Sequence, residues 1–108
     1  MTDAVEEACL AHSGGVTTAL HACLAASAKR ADVRLNAAYR RASAGLLPPV
    51  RARLVAAQRA WLQFRDLDCA VIVAREAGGS DAPLAADQCV TRLTTARAGD
   101  LEDLASGN

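Results

Sequence analysis

Four cysteines carry the most evident chemistry in this chain: Cys9, Cys23, Cys69 and Cys89. Thiols can form disulfides, bind metal or act in redox exchange. Zinc sites want short ligand spacing such as C-x₂-C. Here the nearest two cysteines are 14 positions apart, with only His12 and His21 close by. No C-x-x-C redox motif is present. An even count in a small domain suggests a disulfide framework, with three possible connectivities. Four buried free thiols are the plainer alternative, since cysteine packs well in cores.

The other chemically capable groups are sparse. Asp66 and Asp68 are the nearest approach to a carboxylate pair. Two positions apart on a helix they point about 200° from each other. That suits solvent or an ion pair with Arg65 better than shared acid–base work. There is no G-x-S-x-G, phosphate loop or H-E-x-x-H, so no catalytic, cofactor-binding or metal-binding set is assigned. His21 reads as a helix-surface residue and His12 as part of a turn. Asn36, Gln58, Arg65 and Arg97 fall on or beside apolar positions, where amides and guanidinium groups must find partners. A buried polar network satisfies them; a recognition surface at Arg65 or Gln58 is the alternative. Trp61, the sole tryptophan, reads as a core anchor.

These residues must sit on helices. The chain has 108 residues, which makes one domain, residues 1–108 with a core of about 9–104. Hydrophobic residues make up 52%, but 26 residues are alanine and aromatics stand at 3%. That supply suits close-packed helices better than a sandwich or barrel. Asp3 with Glu6 has capping-box spacing, so a short helix is expected from about Ala4 to His12, ended by Gly14-Gly15. An i, i+3/i+4 stripe from Val16 through Leu20, Cys23, Leu24, Leu35 and Tyr39 to Ala42 predicts a long helix. Thr17 or Thr18 is the expected cap, and Gly45 and Pro48-Pro49 the stop. A second long helix starts at Pro49 or Val50. Its stripe runs through Leu54, Gln58, Trp61, Leu62, Arg65, Cys69, Ile72 and Val73, and Gly78-Gly79-Ser80 ends it. A third opens near Asp81, carries Cys89, Leu93, Arg97, Leu101 and Leu104, and frays at Ser106-Gly107-Asn108. The fold class is all-α: a short N-terminal helix and two or three longer antiparallel helices. Trp61, Phe64 and Tyr39 are its expected large anchors.

Cys69 lies nine positions before Gly78 and Cys89 nine after Ser80. Antiparallel helices rise equally from their turn, at about 1.5 Å per residue, so these two cysteines face each other. By elimination Cys9 pairs with Cys23 across the Gly14-Gly15 turn. Two bridges imply an oxidising compartment, periplasmic or secreted. No signal-like segment opens the chain, so a leader is expected to have been removed. No apolar run is long enough to span a membrane.

Charge narrows the partners. Twelve Lys and Arg balance twelve Asp and Glu, which disfavours a dedicated nucleic-acid binder. Acidic residues gather loosely at Asp3, Glu6 and Glu7 and again at Asp100, Glu102 and Asp103.

The strings Leu35-Asn36-x-x-Tyr39 and Ala57-Gln58-Arg59-Ala60-Trp61-Leu62-x-Phe64-Arg65-Asp66-x-x-Cys69 carry a family resemblance. So do the Gly78-Gly79-Ser80 turn, Cys89, Thr94, Arg97 and Leu101 that follow in order. The chain resembles the N-terminal domain of LprI-type lysozyme inhibitors, small helical domains of secreted or periplasmic proteins. The resemblance implies a non-enzymatic protein-binding role, with a lysozyme-type muramidase as the partner and inhibition by contact. A different envelope partner, with the chain as an immunity or adaptor module, is the other reading. Leu35, Asn36, Tyr39, Gln58, Trp61, Arg65, Asp66, Arg97 and Leu101 read as structural motif residues. The exposed loops, Gly78, Gly79, Ser80 and Asp81 on to Ala82, or His12 to Gly15, are the candidate contact segments.

Overall fold

Alanine decides how these helices pack. In a computed structural model that describes residues 4–76, 79 and 82–107, four helices follow in order: α1 (Ala4–His12), α2 (Thr17–Ala44), α3 (Pro48–Arg75) and α4 (Ala82–Ser106). No strand occurs among the described residues. The all-α expectation holds, with three long helices and one short.

Cross-helix pairs fix the directions. His21 meets Asp87 and Arg34 meets Glu102, so α2 and α4 run parallel. Arg97 meets Gln58 and Arg65 meets Thr94, so α3 is antiparallel to α4. The core is built from Leu35, Ala38 and Ala42 of α2, Leu54 of α3, and Ala98 and Leu101 of α4, with Tyr39, Leu46 and Trp61 packed against it. Ala38 and Ala98 are fully buried. Methyl-sized side chains at such positions let backbones approach closely, and close contact supplies the dispersion energy that few large side chains can give. The molecule is a slab of 49 × 29 × 17 Å.

Both expected disulfides are present, Cys9–Cys23 and Cys69–Cys89. No described cysteine is free. Cys69 and Cys89 face each other as their equal rise from the turn requires, and Cys9–Cys23 is the pair left by elimination. Closing the 20-residue separation of Cys69–Cys89 stabilises the fold by about 3 kcal/mol in the chain-entropy picture.

Three local expectations need correction. Neither Thr17 nor Thr18 caps α2: the N-cap is Val16, without a side-chain cap bond. The preceding turn uses Ser13 instead. Its hydroxyl donates to the Leu10 carbonyl and accepts from the Gly15 N–H, while Gly14 and Gly15 reverse the chain at positive φ. Second, α3 begins one residue earlier than expected, at Pro48, with both prolines in the first turn, where their missing N–H groups are not required. Arg51 then donates to the Ser43 carbonyl at the end of α2 and to the Leu46 carbonyl in the turn that follows. Third, Phe64 is no anchor: it is 55% exposed. It lies 100° round the helix from Arg65 and misses the stripe that faces α4. Leu62, Val73 and Leu104 of the expected stripes are also exposed.

Candidate functional site

The polar residues on the stripes resolve first into a lattice that ties α3 to α4. Gln58 is buried and accepts from Arg97 Nε at 2.9 Å. Of the amide's two ends only the oxygen can accept from a guanidinium, so this bond fixes the amide's orientation. Arg65 lies over the Trp61 ring, 5.4 Å from its centre. Its Nη1 donates to Thr94 Oγ1 at 3.4 Å, satisfying a hydroxyl that has no access to water, and it also pairs with Asp66. Leu35 and Leu101 are core, and Tyr39 and Trp61 pack on it. Motif residues Leu35, Tyr39, Gln58, Trp61, Arg65, Arg97 and Leu101 thus work as packing and cross-helix bonds. Asp66 is exposed and bound to Arg65, and Asp68 is half-buried. They form no shared carboxylate cleft. Among the described residues no group of three or more metal-ligating side chains comes together.

Asn36 stands apart. It is exposed and lines a groove between α2 and α3, with Tyr39, Gln58, Arg59 and Leu62 around it. Arg59 was not singled out from the sequence, although it sits inside the motif string. Its position one residue after Gln58, 100° round the helix, carries it to this side.

The helix ends that flank the candidate contact segments converge. The turn after α1, the start of α2, the end of α3 and the start of α4 all meet at one end of the slab, which also holds both disulfides. Leu10, Leu20, Glu76 and Leu84 line one cleft there. His12 to Gly15 is at this end, and His12 Nδ1 bonds the Ala8 carbonyl at 2.7 Å. Of the α3–α4 loop, Gly79 is exposed and bridges Glu76 and Ala82 through backbone bonds. Gly78, Ser80 and Asp81 lie outside the described residues.

Of the acidic residues noted in the sequence, Asp3 lies outside the described residues. Glu6 and Glu7 are on α1, which folds back along the first turns of α2. Asp100, Glu102 and Asp103 lie toward the far end of α4. Glu102 is held by Arg34, Nε to Oε2 at 2.9 Å, with Arg41 at 3.8 Å. The Arg34 hydrogen bond, with its charge and that of Arg41, holds the Glu102 carboxyl below the usual carboxylate range.

The family sequence model described as Lysozyme inhibitor LprI matches residues 9–101. The chain belongs to this family. The LprI match begins at Cys9 and ends at Leu101, so it takes in both disulfides and the whole α3–α4 lattice. The crystal structure of a DUF1311 family protein from Pseudomonas putida KT2440 is similar, with a TM-score of 0.74 and 29% identity. That likeness covers 82% of this chain and 92% of the Pseudomonas one. No curated protein matches the chain. The family assignment agrees with the resemblance carried by the Gln58 to Cys69 string. No helix among the described residues is long and apolar enough to cross a membrane.

Proposed function

We propose that this LprI-family chain binds a lysozyme-type muramidase and inhibits it by protein–protein contact, without catalysis of its own, in the periplasm or outside the cell. Membership of the family over residues 9–101 carries the reading. The two disulfides support the compartment, because such bonds persist where the surroundings are oxidising. The disulfide-stapled end supports the mode. There the His12–Gly15 turn lies at the same end as the end of α3 and the start of α4, a braced base suited to contact with a substrate cleft. Residues 9–104 are the proposed working unit.

A second reading has its own observation. Cationic lysozymes would favour an acidic face, and here the acidic residues are divided between α1 and the far part of α4, with Glu102 already paired to Arg34. That division favours a different envelope protein as partner. Titration of oxidised, purified protein into lytic assays with lysozymes of several types separates the two. Stoichiometric loss of lytic rate with at least one type is expected from the first reading. Unchanged rates at excess protein for every type would sink it and leave the second.

A further inference from the structure

The two disulfides differ in surroundings. Cys69 and Cys89 are 5% and 3% exposed, between α3 and α4. Cys23 is as deeply buried, but its partner Cys9 is exposed, and both border an open depression beside His12 and Ser13. The Cys9 side of the first bond is the more open to an attacking thiolate, whereas both ends of Cys69–Cys89 are buried between α3 and α4.

The element held by the exposed bond is weakly built. α1 has nine residues, below the roughly 12–15 at which isolated helices become even marginal in water. Glu6 is its one buried residue and Leu10 is half-buried. It joins α2 through a short turn at Gly14 and Gly15, both at positive φ, held by local bonds of Ser13 to Leu10 and Gly15 and not by packing. Leu10 is also one wall of the cleft formed with Leu20 and Leu24 of α2 and Leu84 and Ala85 of α4. Moving α1 would leave those apolar side chains open to solvent or a partner.

We infer that Cys9–Cys23 is a redox latch: a dithiol reductant opens it selectively, frees α1 and uncovers the apolar cleft between α2 and α4, while Cys69–Cys89 keeps the three long helices together. The reductant's thiolate attacks Cys9 Sγ and the S–S bond breaks, with Cys23 leaving as a thiolate that takes a proton. The reductant's second thiolate then attacks the mixed disulfide and releases Cys9, which is protonated in turn. Two electrons and two protons reach the protein, and the reductant ends as a disulfide. This goes beyond the lysozyme reading and stands whatever the partner is.

The test is graded reduction of the native protein with dithiothreitol, quenched with iodoacetamide and mapped by peptide mass. Cys9 and Cys23 are expected to be labelled at least ten-fold faster than Cys69 and Cys89. In the half-reduced species, amide exchange should speed up at least ten-fold over residues 4–12 and stay within two-fold over α3 and the body of α4. Opening of both bridges at one rate, opening of Cys69–Cys89 first, or continued protection of α1 would overturn the latch. The double variant Cys9→Ala/Cys23→Ala tests it without reductant: cooperative folding with raised binding of an apolar dye is expected. Global unfolding of that variant, or unchanged dye binding, would also overturn it.

Discussion

At the residue scale, the buried amide of Gln58 and the guanidinium of Arg97 explain how polar groups come to lie on apolar stripes. Each satisfies the other across α3 and α4. Replacing Gln58 by Leu leaves the half-buried Arg97 without its Nε acceptor, and an unmade bond of this kind costs about 1–3 kcal/mol. Replacing both partners with apolar groups of similar shape removes the orphan. Urea unfolding should therefore show Gln58→Leu clearly destabilised and Gln58→Leu/Arg97→Met recovering most of the loss; a double variant as weak as the sum of the singles would refute the pairing. Glu102 gives a pH signature. Its carboxyl is held below the ordinary carboxylate range by Arg34. The stabilisation is thus fully present above the unfolded value of about 4.3 and fades as pH falls through the lower, folded value. Glu102→Gln should flatten the pH dependence of the unfolding midpoint below about pH 4.5, with wild type and variant converging in stronger acid. A difference that grows below pH 3 would contradict this. The sequence identified Gln58 and Arg97 as groups needing partners, but not that they need each other. Their 39-residue separation is bridged only by the register of two helices. Arg34 and Glu102, 68 positions apart on parallel helices, left no local trace at all.

At the element scale, the helices were legible because their punctuation is strong. Gly14-Gly15 and Pro48-Pro49 interrupt an otherwise helix-forming chain, and the spacing of Cys69 and Cys89 about the next turn set the register of α3 on α4. The inward face of α3 was harder to read. Apolar residues occur nearly all round it, so Phe64, Leu67 and Val71 compete with Trp61 and Cys69 as core positions, and only the place of α4 decides among them. Phe64, Leu67 and Val71 end exposed. Periodicity also could not tell that α4 would lie along α2 in parallel, a choice made by small residues. Ala98 has no accessible surface and stands among Leu35, Ala38, Leu54 and Leu101. Adding three carbons there must push α2 or α3 away from α4, and overpacking of this kind costs about 1–3 kcal/mol. Ala98→Leu is expected to lower the thermal midpoint by at least about 5 °C, whereas Ala60→Leu on the exposed side of α3 should leave it within about 2 °C. Equal effects at the two positions would mean that the α2–α4 approach is not set by alanine.

At the scale of the whole molecule, neutrality is arranged rather than uniform. The sequence balances twelve acidic against twelve basic residues, and several of the described ones are paired. Arg34 and Arg41 offset Glu102, Arg65 offsets Asp66, and His21 meets Asp87. On the proposed reading, inhibition of a cationic lysozyme rests on shape and close contact more than on long-range attraction. Electrostatic steering raises association rates by orders of magnitude at low salt and collapses as the screening length shrinks from about 30 Å at 0.01 M to about 8 Å at 0.15 M. A contact-driven complex has little of that dependence. For a lysozyme that the protein inhibits, the half-inhibitory concentration is therefore expected to rise by less than about three-fold between those two ionic strengths, and the association rate to change as little. A fall in association rate of ten-fold or more would place exposed carboxylates, such as Glu7 of α1, in the encounter. Charge reversal at Glu7, which is exposed, then identifies the route: Glu7→Lys should leave a contact-driven complex nearly unchanged and slow a steered one.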